Sequence, residues 1–187
     1  MKISRREFIQ LIFGFAASLT FFSLTRSLPS RALVRPPGAV EEEDFLSRCV
    51  KCGICIDVCP TRGLSPATLS DGIVNIGTPK LTGYCEINCL KCVEACPTGA
   101  LQKISVSEKD MGTAVIVKER CRGWLYGTCL RCVERCPLGA VHLTNGKNPT
   151  VDSERCIGCA QCVIVCPVSP PAVYVAPEGA NRIKLHG

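Results

Sequence analysis

Sixteen cysteines in a chain of 187 residues dominate the chemistry open to it. They fall in four runs of four. The first run is Cys49-x2-Cys52-x2-Cys55-x3-Cys59, and the fourth, Cys156-x2-Cys159-x2-Cys162-x3-Cys166, repeats its spacing. The second, Cys85-x3-Cys89-x2-Cys92-x3-Cys96, has one extra residue, and the third, Cys121-x7-Cys129-x2-Cys132-x3-Cys136, has a longer insertion. Each run closes on Cys-Pro, at Pro60, Pro97, Pro137 and Pro167. Thiols at this density serve as disulfides, zinc ligands or iron ligands. Disulfides would leave many near neighbours in awkward local geometry. Zinc needs two to four ligands per unit in paired C-x2-C spacing, with no use for a third-to-fourth crossover. Three closely spaced thiolates, by contrast, wrap one corner of a four-iron cubane. The fourth, about one helical turn further on, reaches a neighbouring cubane. The spacing therefore points to four [4Fe–4S] clusters with all sixteen cysteines as iron ligands.

Which runs exchange fourth cysteines is read from the insertions. Runs one and four are regular, and runs two and three are not, which suggests a nested pairing. The expected sets are Cys49, Cys52 and Cys55 with Cys166; Cys156, Cys159 and Cys162 with Cys59; Cys85, Cys89 and Cys92 with Cys136; and Cys121, Cys129 and Cys132 with Cys96. A sequential pairing, one with two and three with four, is the alternative. Cys59 separates them: it lies beside run four if the pairing is nested and beside run two if it is sequential.

The elements that must position these thiols are small and repeated. The leading cysteines recur at steps of 36, 36 and 35 residues, and no unit of that size buries a sufficient core alone. Proline stops the local helical turn, and the glycine of Pro97-Thr98-Gly99-Ala100 and Pro137-Leu138-Gly139-Ala140 permits the bend after it. Residues 140–144 read as a strand, Asn145-Gly146 as a turn and Pro149-Thr150-Val151 as its return. Residues 114–117 and 172–175 are further β-branched runs. The expected fold is α+β: tandem bacterial-type dicluster ferredoxin folds, with short β-hairpins and short helices around clusters, preceded by a helical export signal. Residues 33–47 read as linker and lead-in, extended over Arg35-Pro36-Pro37-Gly38 and helical from the acidic run Glu41 to Asp44. Residues 48–187 form the cluster-bearing region, with an outer half of 48–80 and 145–187 and an inner half of 81–144.

The N-terminus reads as an address. Ser4-Arg5-Arg6-Glu7-Phe8-Ile9 has the twin-arginine export pattern, and an uncharged apolar run follows from Ile9 to Leu24. At 16 residues the run is short for a membrane span, which needs about 20. Ser30-Arg31-Ala32 suits cleavage after Ala32, so residues 1–32 are assigned as signal peptide; the alternative is an uncleaved anchor. A route that carries folded proteins also suits clusters loaded before export, away from an oxidising compartment.

The formal net charge of +6 does not point to nucleic acid. Residues 1–32 carry +4 of it, and the remainder only +2, which four thiolate-bound clusters would reverse with about −8. Basic residues do sit near cysteines in sequence: Arg48, Lys51, Lys91, Arg120, Arg122, Arg131, Arg135 and Arg155. They are either solvated surface charges or groups that offset cluster charge. Trp124 and Tyr126, in the run-three insertion, read as a hydrophobic plug, and His142 as a structural strand residue. There is no phosphate-binding loop, dinucleotide fingerprint or nucleophile–base arrangement, so neither a small-molecule substrate nor enzyme chemistry is indicated.

The chain resembles the NapG/MauM family of exported ferredoxin-type proteins over nearly its whole length. The resemblance rests on Arg35-Pro36-Pro37-Gly38-Ala39, Glu41 to Phe45, Cys49-Val50-Lys51-Cys52-Gly53 and Met111-Gly112-Thr113-Ala114-Val115. The spacing of run two and the short tail after Val175 depart from the family pattern. The resemblance implies an exported carrier relaying single electrons from a quinol-oxidising membrane partner to a periplasmic oxidoreductase such as nitrate reductase. A nested pairing would match the electron-transfer subunits of molybdenum reductases. Two other roles share the same sites: a fixed subunit of a molybdenum reductase or dehydrogenase complex, and a maturation factor for an exported redox enzyme. Expected partners are thus the membrane protein, the periplasmic oxidoreductase and, during export, the twin-arginine translocase.

Overall fold

A computed structural model describes residues 32–185 and, further upstream, Arg6 and Gln10, both helical and exposed. The chain divides into two units, residues 1–31 and 32–187. The apolar run and the signal assigned to residues 1–32 lie almost wholly outside the described residues. Among the described residues no helix is long and apolar enough to cross a membrane.

Residues 32–185 fold as tandem ferredoxin-type halves built from short helices and two-stranded antiparallel sheets. The first half contains α1 (Glu42–Arg48), α2 (Ile54–Asp57), β1 (Leu64–Pro66), β2 (Pro79–Leu81) and α3 (Lys91–Glu94). The second contains β3 (Thr113–Ile116), α4 (Arg122–Tyr126), α5 (Arg131–Arg135), β4 (Val141–Thr144), β5 (Asn148–Val151), α6 (Gln161–Ile164) and β6 (Val173–Ala176). The halves follow one another along the chain, so the nested division into 48–80 with 145–187 and 81–144 is corrected.

Two of the three sheets are local. β1 pairs with β2, and β4 with β5 in the register Val141↔Val151 to Thr144↔Asn148. The expected turn sits between the latter pair, with Asn145 and Gly146 at φ of 55° and 68°, the left-handed backbone that both residue types tolerate. The third sheet is not a hairpin. β3 pairs with β6, Thr113 opposite Ala176, and so brings the two ends of the second half together.

The first half is closed by the segment expected to be a linker. Residues 35–40 are all buried. Ala39 bridges Leu101, Val40 N–H donates to the Ala100 carbonyl at 3.2 Å, and Gln102 N–H donates to Gly38 at 2.7 Å. The tail then returns to lie beside Val40 through Ile183. This stretch is a strand-like closure equivalent to β3, and the reason it can be buried is Arg35, whose side chain is wholly inside. Its Nε donates to both Glu42 carboxylate oxygens at 3.1 and 3.2 Å, and Nη2 reaches Asn75 Oδ1 at 2.9 Å. Nη1 donates to Thr78 Oγ1 at 2.7 Å and the Pro79 carbonyl at 3.0 Å. The guanidinium also lies 4.7 Å from the centre of the buried Phe45 ring. Every face of a costly buried charge is thereby satisfied.

The cores are small. The first gathers Ala39, Val40, Phe45, Leu64, Val93, Ala100 and Leu101 around Cys92, whereas the second has only Ala114, Val141 and Val173 around Cys162. The halves meet where Cys85 N–H donates to the Cys159 carbonyl at 2.9 Å and Met111 N–H to Ile157 at 3.1 Å. Gly158 is required at this junction: a Cβ there would stand 2.6 Å from the Gly112 carbonyl oxygen, and its φ is 66°.

Arg35→Met should lower the temperature at which the folded protein loses its secondary structure, by the equivalent of about 3 kcal/mol, because it strands several buried acceptors. Glu42→Gln should cost less, about 1 kcal/mol or below, because that carboxylate is 42% exposed and screened by solvent. Circular-dichroism melts of the two variants check the ranking.

Candidate metal centres

The third cysteine of every run occupies the second position of a short helix: Cys55 in α2, Cys92 in α3, Cys132 in α5 and Cys162 in α6. In the two regular runs the preceding loop is wound by left-handed residues at matching places. These are Lys51 and Gly53 in run one, and Gly158 and Ala160 in run four. Reversing the backbone twice within four residues is what turns three thiols of a C-x2-C-x2-C run towards one point. In run three the seven-residue gap is taken up by α4, whose Trp124 donates Nε1–H to the Pro149 carbonyl at 2.8 Å and stacks under Lys118 at 4.4 Å. Trp124 is thus the structural plug expected, while Tyr126 stands 70% exposed.

Four sets of thiols result. Cys49, Cys52, Cys55 and Cys96 line one cavity; Cys59, Cys85, Cys89 and Cys92 line a second; Cys121, Cys129, Cys132 and Cys166 line a third. Cys136 falls with Cys159 and Cys162, whose thiols interact with it electrostatically and also with Cys156. The nested pairing is therefore corrected to the sequential one: Cys59 lies beside run two, Cys96 beside run one, Cys166 beside run three and Cys136 beside run four. The cause is chain economy. From Cys59 the chain turns straight back through β1 and β2 to run two, so α2 and α3 become packing neighbours, as α5 and α6 do in the second half. Closing a short loop costs less entropy than closing a long one. The insertions, which suggested nesting, do local work instead.

Among the described residues no three Cys, His, Asp or Glu side chains gather closely enough to hold a single metal ion. Each of the three cavities is instead lined by four thiols set too far apart to share one ion. A donor set of four thiols around a space larger than one ion fits a polynuclear iron–sulfur group better than zinc.

The sets also adjoin one another. Cys55 of the first set interacts with Cys92 of the second. Cys85 of the second interacts with Cys159 of the run-four set. Cys162 of that set interacts with Cys132 of the run-three set. The succession is run one, run two, run four, run three.

Burial, and after it the neighbouring thiols, push the third cysteines up: Cys55 and Cys132 to about 11, Cys92 and Cys162 to about 12. The fourth cysteines of the first half behave oppositely. Burial opposes ionisation of Cys59 and Cys96, but donors in the turn after each Cys-Pro outweigh it. For Cys59 these are the Thr61 hydroxyl, 3.4 Å away, and the amides of Gly63, Thr61 and Leu64. For Cys96 they are the amides of Leu101, Thr98 and Ala100 with the Thr98 hydroxyl at 3.8 Å. In the second half Ala114 N–H donates to Cys156 Sγ, and Ala172 N–H to Cys166 Sγ, both at 3.3 Å.

The eight basic residues that adjoin cysteines in sequence are all exposed, so they are solvated charges. Arg120 and Arg155 bind the carbonyls of Pro171 and Leu138 at 3.0 and 2.8 Å. The basic residue that is buried at a thiol set is Lys109, which sequence proximity did not single out. His142 is a strand residue beside Thr150.

Fold and thiol sets define a tandem 4Fe–4S ferredoxin-type protein. Residues 84–140 and 126–169 match two family models, each described as a 4Fe-4S dicluster domain, and residues 45–65 match a 4Fe-4S binding domain. The chain belongs to the ferredoxin-type family that includes MauM and NapG, and it is an iron–sulfur electron carrier rather than an enzyme. It is 38% identical to the methylamine utilization ferredoxin-type protein MauM of Methylophilus methylotrophus, over 97% of this chain and 91% of that one. It is 33% identical to the ferredoxin-type protein NapG of Escherichia coli (strain K12), over 97% and 89%. A chain of the formate dehydrogenase–heterodisulfide reductase–formylmethanofuran dehydrogenase complex of Methanospirillum hungatei is a distant likeness. It is 23% identical, with a TM-score of 0.32, over 82% of this chain and 54% of that one.

A thiol held high is protonated at neutral pH and must release its proton on binding iron. Loading iron and sulfide into the cluster-free chain should therefore acidify a weakly buffered solution and become more favourable as pH rises. Anaerobic reconstitution from pH 6.5 to 8.5, scored by bound iron, checks this: a yield flat or falling with pH contradicts it.

Proposed function

We propose that this protein is an exported relay holding four [4Fe–4S] clusters, one per thiol set. It passes single electrons from a quinol-oxidising membrane partner to a periplasmic oxidoreductase, such as nitrate reductase. The observation that carries this reading is the unbroken succession of neighbouring thiol sets from run one, through runs two and four, to run three. Clusters bound there supply one-electron redox chemistry. The polypeptide fixes their order, buries Cys92 and Cys162 and aims amide and hydroxyl donors at the sulfurs, which sets potential. That relatives are named for methylamine utilization supports a role beside an exported dehydrogenase or reductase.

The export route rests on Ser4-Arg5-Arg6-Glu7-Phe8-Ile9, a twin-arginine pattern. A second reading, a fixed subunit of a larger complex, draws on the exposed Leu69, Ile73, Val74 and Ile76 in the β1–β2 connection, beside the run-one cavity. A free carrier runs as a monomer in size-exclusion chromatography; a detached subunit self-associates through that surface.

The purified holoprotein should hold about sixteen irons per chain that reduce and reoxidise reversibly, and a value near zero, with disulfides found by mass spectrometry, would end this reading. Cys96→Ser should damage the run-one cluster while sparing the pair in the second half. Iron content with electron paramagnetic resonance (EPR) reads this as the loss of one signal or one pair. Replacing Arg5 and Arg6 together by lysine should leave the protein in the cytoplasm, seen by cell fractionation.

A further inference from the structure

Lys109 is buried to 1% exposure and comes from the link between the two halves, thirteen residues beyond Cys96, the last cysteine of run two. Its ammonium carries three N–H donors, and each meets a carbonyl of the run-two loop: Glu86 at 2.5 Å, Ile87 at 3.1 Å and Cys89 at 3.0 Å. These carbonyls belong to Cys85-Glu86-Ile87-Asn88-Cys89, the segment that holds the extra residue of this run. Among the described residues no carboxylate pairs with Lys109, so its charge is not cancelled locally. The ammonium also lies close enough to the Cys85 and Cys92 thiols to work against burial, which pushes both of them up.

We infer that Lys109 is the positioning residue of the run-two centre: it braces the enlarged Cys85–Cys89 loop, and its fixed positive charge holds that one cluster at a higher reduction potential than the same site would have without it. The inference rests on the iron–sulfur reading above and adds to it. Reduction places one more negative charge on a cluster. A buried, uncancelled ammonium a few bonds from the ligands stabilises that state more than the oxidised one. The extra residue of run two thus has a purpose: it turns three carbonyls towards a single cation. The centre so biased is the one at the junction with the second half, where Cys85 N–H binds the Cys159 carbonyl.

The test uses the full chain, reconstituted anaerobically, and an EPR-monitored redox titration with iron analysis. Wild-type protein that takes up no iron refutes the iron–sulfur reading itself, apart from Lys109. Given a loaded wild type, Lys109→Gln should shift the reduced-to-oxidised ratio of one centre about tenfold towards oxidised at fixed potential, about 59 mV. Lys109→Arg should restore most of it. Lys103→Gln, the same charge loss at an exposed position, should change nothing. Loss of one cluster in the Gln variant but not in the Arg variant also supports the role of charge. Unchanged midpoints in a fully loaded Gln variant overturn the proposal, as does equal damage in the Gln and Arg variants.

Discussion

Buried thiols placed side by side resist ionisation, and this constraint governs the whole architecture. Each third cysteine sits in a helix turn where burial and its neighbours both oppose the thiolate. Iron reverses that preference, because it binds only the ionised sulfur. The polypeptide supplies the complementary part: turns after the Cys-Pro steps whose amides and hydroxyls favour charge on the fourth sulfurs of the first half. Metal and fold are therefore mutually dependent, as expected for a chain whose second half has so few fully buried side chains.

The two halves solve the same closure problem differently. The second half ties its ends together with a regular sheet, β3 against β6. The first half uses an irregular strap, residues 35–40, pinned by one arginine that fills its donors from three separate places in the chain. The strap also receives the returning tail at Ile183, so the first half carries both ends of the folded region. Its larger apolar core is consistent with that burden.

Much of this was legible in the residues. Cysteine spacing led to the iron–sulfur reading, and Asn145-Gly146 marked the turn between β4 and β5. The strands at 114–117 and 172–175 appear displaced by a single residue as β3 and β6. Pairing was not legible, because spacing irregularity was read as kinship between runs two and three, whereas each insertion serves its own neighbourhood. Run three uses its insertion to seat Trp124, and run two bends around Lys109. Arg35-Pro36-Pro37-Gly38 looked like a tether because prolines suit exposed extended chain equally well. What buries it is an arginine satisfied by Asn75 and Thr78, some forty residues away. The conspicuous basic residues proved to be surface charges for a related reason: adjacency along the chain does not set side-chain direction.

Exchange between consecutive motifs has a bearing on biosynthesis. A nested scheme would leave the earliest thiols waiting for the last ones to emerge from the ribosome. Here every ligand of the first two sets lies between Cys49 and Cys96, so that pair can be completed while the remainder is still being translated. Docking of Ile183 beside Val40 comes later than completion of that pair, which makes this segment a latch on an already metallated first half.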